Sequence, residues 1–374
     1  MGPETHLMKL LFQLPTVPVA LKKGNAFAAS LLDHRNGTRF NMGALNFPSG
    51  FFTRFVRSQL FTKIPYPTHS FAGQTILITG ANVGLGLEAA RHFVRLGAAR
   101  VILGCRSISK GEAAVTDIEN STQCKGVVEV WEVDLSSYKS VKAFCEQATK
   151  LDRLDVVVEN AGIAIPVFEE VEGMESTITV NVISTFLMAL LLVPVLRASG
   201  MKHKTTPNLV IVSSDAHEQA SFKEQSSPEI FKTLATPSTA LQPDRYNVSK
   251  LLEILVIRSL GPDLSASSKP KIILNTPHPG FCHSDLMRHA VFPLNALSPI
   301  AKLIIGRSTE EGSRTLVASA CAGEDTHGCY MVDCEVQEPS AWVRSGKGVE
   351  TQGRVYKELL EILEGIEPGV TGNI

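Results

Sequence analysis

QTILITGANVGLG, residues 74–86, joins a short apolar run, Gln74–Thr79, to a turn carrying Gly80, Gly84 and Gly86. An apolar run bounded by a turn signal predicts a buried strand, and Leu87–Leu96 then repeats its apolar residues with a helical period. Three glycines at a strand-to-helix junction have separate uses. One turns the chain sharply, one lets backbone approach a pyrophosphate, and one lets the helix pack close to the sheet. The backbone of Gly80, Gly84, Leu85 and Gly86 would present N–H groups and the positive end of a helix dipole to phosphates. The spacing is GxxxGxG rather than the general GxGxxG fingerprint.

The pattern repeats outward from this unit. Val101–Gly104, Val127–Val133, Leu154–Val158, Asn208–Val212 and Lys271–Asn275 are further short apolar runs. Helical patterns such as Ser137–Lys150, Val180–Arg197 and Val355–Leu363 lie among them. Alternating strands and amphipathic helices predict an α/β fold, a Rossmann-like doubly wound parallel sheet covered on both faces. The organisation expected is an irregular extension over 1–70, one catalytic domain over 71–369 and a tail over 370–374. Met42 offers an alternative start, which would place residues 1–41 outside the native chain.

The chain has 374 residues and a formal net charge of −1. A near-neutral balance argues against a nucleic-acid binder, which needs a basic face. Seven scattered cysteines form no CxxC pair, so neither a disulfide framework nor a metal site is indicated. The run Phe186–Leu196 is short of the ~20 residues that span a bilayer and contains Pro194. It reads as a core helix or as the face of a homodimer. Phe51, Phe52, Phe55, Leu60 and Phe61 alternate with Arg54, Arg57 and Lys63. That mixture suits either packing on the main domain, the favoured reading, or peripheral membrane contact through 51–63.

An NAD-preferring site shows an acid about 20 residues after the first glycine. None stands between Val101 and Ser107; Arg106 does, with Lys110 one helical turn on. A guanidinium matches a ribose 2′-phosphate through bidentate charge-assisted bonds, so NADP(H) is the expected cofactor.

Tyr-x-x-x-Lys occurs at Tyr246/Lys250 and again at Tyr138/Lys142. Context separates them, because only Tyr246 follows a strand ending in Ser213-Ser214. Hydride addition to a carbonyl builds charge on oxygen that must receive a proton. A phenol of ordinary pKa about 10 is a weak donor near neutrality. An ammonium one helical turn away would lower that pKa. The Ser214 hydroxyl would hold the substrate oxygen, and Lys250 can also bond the nicotinamide ribose.

The Thr79–Gly86 turn, Asp134-Leu135, Asn160-Ala161-Gly162, Asn181, Ser214, Tyr246-x-x-x-Lys250 and Pro279-Gly280 stand in the order of the short-chain dehydrogenase/reductase family, which the chain resembles from about Phe71 to Gly369. The wording TGANVGLGLEAARHFVRLGA, LGCRS and YNVSKLLE is most similar to filamentous-fungal members linked to secondary metabolism, and more distantly to retinol-dehydrogenase-type reductases. The resemblance implies that Asp134 bonds the adenine amino group and that Asn160 contacts the cofactor ribose. Asn181 would hold a water linking Lys250 to solvent, and Ser284 would contact the nicotinamide carboxamide. Glu159 departs from the usual Asn-Asn-Ala-Gly, and the connection 215–245 is long, suited to a substrate flap or an interaction surface.

His217 and His283 lie near these segments but have no task that Tyr246 leaves open, and Cys282 reads as a small buried hydrophobe. Phe281–Ile305, with Met287, Phe292, Leu294 and Leu297, reads as an apolar lid over a hydrophobic small molecule. Asn247-Val248-Ser249 is a glycosylation sequon between the proposed Tyr and Lys. A glycan there would destroy the site, which favours the cytoplasm. The expected function is an NADP(H)-dependent ketone or aldehyde reductase or alcohol dehydrogenase. The alternative is a cofactor-binding scaffold with the same fold.

Overall fold

The apolar runs pair side by side in a sheet ordered β10-β9-β8-β7-β4-β1-β2-β3. The computed structural model describes residues 50–284, 286 and 302–374. The strands are β1 (Thr75–Thr79), β2 (Arg100–Cys105), β3 (Val128–Glu132), β4 (Val156–Glu159), β7 (Asn208–Ile211), β8 (Ile273–His278), β9 (Cys329–Val332) and β10 (Glu335–Gln337); β5 (Glu170–Val171) and β6 (Met174–Glu175) form a separate small hairpin. Every pairing in the large sheet is parallel except β9 with β10. The helices are α1 (Phe51–Phe61), α2 (Gly84–Arg95), α3 (Ile108–Thr122), α4 (Tyr138–Ala148), α5 (Ser176–His203), α6 (Ile230–Leu234), α7 (Gln242–Ala266), α8 (Thr309–Ala320) and α9 (Gly346–Ile366).

Side chains alternate across a strand, and β1 shows the consequence. Leu77 joins the core beneath α4, α5 and α7, while Ile76 and Ile78 join the core beneath α2, α3 and α8. All five β1 residues are buried, which is why the strand reads as a continuous apolar run. Four strands escaped the sequence reading: the two-residue β5 and β6, and β9 and β10 in the large sheet. β9 and β10 are short, and Asp333 (φ 54°) and Cys334 (φ 69°) turn between them. Positive φ at both turn positions is the type I′ hairpin geometry, here made without the glycine that normally signals it.

Helix α5 is the one helix among the described residues long and apolar enough to cross a membrane, and it lies mostly buried inside the molecule. Pro194 does not interrupt it. A proline leaves the carbonyl four residues earlier without its helical donor. Here the Asn373 side chain supplies that donor, reaching the Leu190 carbonyl at 3.1 Å. The run Phe186–Leu196 is thus mainly core, held partly by residues at the chain's C-terminus.

Helix α1 carries the extension's aromatics and packs on the domain. Phe51 is buried and stacks on Phe55, which meets Phe281. Gln59 Nε2 donates to the carbonyls of Phe281 (2.9 Å) and Ile305 (3.0 Å), and Arg54 pairs with Glu218 at 2.6 Å. Phe52, Leu60 and Phe61 remain exposed on its other side. Residues 1–41, the Met42 start, and Met287, Phe292, Leu294 and Leu297 of the expected lid lie outside the described residues.

The connection 215–245 is built into the core rather than hung over it as a flap. Phe222, Ile230, Phe231 and Leu234 are fully buried in the α5–α7 core, and buried Arg245 pairs with Glu224 at 3.3 Å.

Candidate active site

The candidate residues gather at the C-terminal ends of the parallel strands, around the place where strand order reverses between β1 and β4. That is where an open α/β sheet leaves a crevice. Glycine is required at two points of the β1–α2 turn. A Cβ on Gly86 would lie 2.7 Å from both Asn160 Nδ2 and the Gly80 carbonyl oxygen. Gly84 has φ +62°, and a Cβ there would meet nothing within 4 Å. It opens α2, whose preceding residue Val83 makes no side-chain cap. The first turn of α2 thus keeps its donors toward an uncluttered cradle, which fits a pyrophosphate.

Asn160 follows β4 and ties the turn to the next strand, its Nδ2 donating to Thr79 O at 3.0 Å and Gly80 O at 3.3 Å. Asp134 follows β3 and accepts from Ser136 N at 2.9 Å and Ser136 Oγ at 2.7 Å. Arg106 and Lys110 are exposed after β2, and neither side chain has a hydrogen bond or ion pair among the described residues. Ser284 stands after β8, its carbonyl accepting from Lys302 Nζ at 2.6 Å.

Ser214 stands two positions beyond Val212, just past β7. Its Oγ accepts from Ala216 N at 3.1 Å and lies 3.3 Å from Asp215 Oδ1. Tyr246 and Lys250 lie at i and i+4 in the opening turns of α7, hence on one face. Lys250 Nζ is 5.9 Å from the Tyr246 ring centre and donates to the Val212 carbonyl at 2.8 Å. Ser214 lies close enough to the phenol to lower its pKa. The three side chains therefore share one neighbourhood.

The electrostatics differ from the simple expectation for Tyr246. Burial pushes the phenol's pKa up, and the negative charge of Glu253 adds to the shift; Ser214 only opposes it. The Lys250 ammonium is itself engaged by Glu253 Oε1 at 2.7 Å.

Asn181 sits in a π-helical stretch of α5, Thr179–Ser184, a distortion that often marks a functional site. Its Nδ2 donates to Ile163 O at 2.9 Å and Ser249 Oγ at 3.0 Å, and its Oδ1 accepts from Ile163 N at 2.9 Å. A side chain at Gly162 would stand 3.3 Å from Asn181 Oδ1 and 3.8 Å from Lys250 Nζ. Glycine keeps the line between them open.

Both neighbouring histidines are structural. His217 Nε2 accepts from Ser340 N at 3.1 Å, which puts the proton on Nδ1, 2.8 Å from the Ser214 carbonyl. Burial lowers its pKa to about 4. His278, at the end of β8, was missed in the sequence. Its Nδ1 accepts from Asp215 N at 3.2 Å, so it braces the backbone beside Ser214. Its place directly before Pro279-Gly280 was the available signal. Cys282 is buried and its thiol is pushed up to about 12, chiefly by burial. That environment suits a small hydrophobe rather than a nucleophile.

Comparison with known proteins agrees with this arrangement. Residues 74–226 match the family model for short chain dehydrogenase. The chain is 47% identical over 325 residues to the short chain dehydrogenase/reductase dmxR8 of Cryptosporiopsis sp., covering 85% of this chain and 99% of that one. It is 46% identical over 286 residues to the short chain dehydrogenase atnD of Emericella nidulans, covering 76% and 91%. Among solved structures, an uncharacterised protein of Mycobacterium paratuberculosis superposes with TM-score 0.57 at 26% identity, covering 79% of this chain and 96% of that one. The RhlG/NADP active-site complex of Pseudomonas aeruginosa superposes with TM-score 0.52 at 25% identity, covering 72% and 97%. The sheet order, the glycine turn, the gathered Ser, Tyr and Lys, and these likenesses all lead to one family: the chain is a short-chain dehydrogenase/reductase.

Proposed function

We propose that the chain is an NADP(H)-dependent oxidoreductase that interconverts a carbonyl and an alcohol on an apolar small molecule. Its setting would be the cytoplasm and secondary metabolism, in keeping with its likeness to dehydrogenases of several fungi. The observation that carries the reading is the meeting of Tyr246, Lys250 and Ser214 beside the open Gly84 cradle.

In the reducing direction the Tyr246 hydroxyl gives its proton to the oxygen that gains charge. Ser214 donates a hydrogen bond to the same oxygen and fixes its position. Lys250 anchors the ribose and holds positive charge beside the phenol. Asn160 keeps the first glycine turn and the end of β4 in register, and Asn181 with Gly162 holds the approach to Lys250. The bound nicotinamide supplies the hydride. The apolar residues of 281–305 support an apolar substrate.

The NADP preference rests on Arg106 and Lys110, whose side chains have no partner among the described residues and are available to a 2′-phosphate. The Arg106→Ala variant is expected to raise KM for NADPH by roughly 10–100-fold, the loss of one or two charge-assisted bonds. KM for NADH should stay within about twofold of wild type. Steady-state kinetics with both cofactors check this, and an equal rise for both would refute the assignment.

A further inference from the structure

Lys250 has three N–H donors. One reaches the Val212 carbonyl and one reaches Glu253 Oε1 at 2.7 Å, in a site where Glu253 is only 2% exposed. The third is left for a ligand. Glu253 Oε2 has no hydrogen-bond partner among the described residues. Glu159, on the final position of β4, faces Glu253 electrostatically from the sheet, and neither of its oxygens has a partner. The two carboxyls belong to one buried cluster. Val212 N bonds the Glu159 carbonyl at 3.0 Å, and Val212 O receives Lys250.

We propose that Glu253 is a positioning residue acting through Lys250. Ionised, it neutralises the ammonium and leaves Tyr246 a weak acid; protonated, it releases the ammonium's field onto the phenol. This rests on reading Tyr246 and Lys250 as the acid and its partner. The only bond made or broken in the switch is the O–H of Glu253, with solvent as the source of the proton.

The surroundings favour such a switch. On α7 the groups facing Glu253 are Lys250 and Tyr246. Ser213, after β7, lies beside its carboxylate while its hydroxyl donates to the Lys250 carbonyl at 3.1 Å, and Glu159 faces it from β4 with Cys145 of α4 behind. Burial raises the Glu253 pKa, the Lys250 charge and Ser213 pull it back, and it comes to about 7. Two carboxylates in one dry site cannot both ionise. Burial, and then Glu253, hold the Glu159 carboxyl well above the usual range. Glu253 is therefore ionised above about pH 7 and protonated below it.

The titrations and spectra use cofactor-free protein, so their failure is distinct from failure of the proposed reaction. Tyrosinate absorbance is titrated for wild type and Glu253→Gln, each against its Tyr246→Phe counterpart to isolate one phenol. Removing one charge at this range should move the Tyr246 titration down by roughly one to two pH units. Coincident titrations would overturn the proposal. In wild type alone, infrared spectra should show a protonated carboxyl lost around pH 7, with kcat/KM for carbonyl reduction falling through the same range. No such loss would overturn the proposal even if the Gln variant failed to fold.

Discussion

Replacing Tyr246 with Phe is expected to cut turnover by about 10³-fold while NADPH affinity stays within about twofold, within the usual range for loss of a general acid. The ring remains, so the packing around Lys250 and the glycine turn is kept; only the proton donor goes. Nothing nearby can replace it. His217 uses both ring nitrogens on backbone partners, and His278 is tied to Asp215. Ser214 can still orient a carbonyl but is a much weaker acid. Steady-state kcat and fluorescence titration of NADPH check the two halves separately. A kcat near that of wild type would refute the role, and lost NADPH binding would assign Tyr246 to the cofactor site instead.

Gly86→Ala should damage the fold strongly. The new methyl would sit 2.7 Å from the Gly80 carbonyl oxygen, 2.9 Å from Ala81 Cα and 2.7 Å from Asn160 Nδ2. Two of these are backbone atoms of the turn itself and cannot swing aside. Relief would require α2 to move off the sheet, breaking the Asn160 bonds to Thr79 and Gly80. A cost of about 3 kcal/mol is expected, at the upper end for overpacking, or a Tm lower by roughly 6–12 °C. Thermal unfolding measures it, with Gly84→Ala as the contrast. That methyl meets no atom within 4 Å, so its cost to the fold is confined to the left-handed backbone at φ +62°, about 1 kcal/mol, and its larger effect should fall on NADPH affinity. Equal Tm losses for the two variants would contradict this account of the turn.

How far the sequence reveals these features depends on whether the cause is local. β1 and α2 were legible because a strand buried on both faces must be apolar throughout, and a turn that must bend and pack closely needs glycine. Tyr246 and Lys250 were legible as a pair because helix geometry puts i and i+4 on one face. Ser214 was legible because it directly follows an apolar strand. The β9–β10 hairpin was not, since Asp333 and Cys334 adopt left-handed backbone without glycine. The helical pattern Val180–Arg197 was legible through Pro194, but what replaces the lost donor, the Asn373 amide, lies far along the chain and was not. Glu159 registered only as a departure from the family pattern. Its relation to Glu253 appears only when the end of β4 and α7 are brought together in three dimensions. The expected lowering of the Tyr246 pKa is opposed first by burial of the ring and then by Glu253, and the depth of that burial could not be read from spacing.

The central claim is that Ser214, Tyr246 and Lys250 together direct hydride onto a carbonyl carbon. The most direct measurement incubates purified protein with NADPH deuterated at its transferring carbon and a panel of apolar ketones and aldehydes, followed by mass spectrometry of the alcohols. The account predicts one deuterium on the carbinol carbon of at least one product with wild-type protein, and none above background with the Tyr246→Phe variant. Unlabelled alcohol, or equal labelling by both proteins, would contradict it.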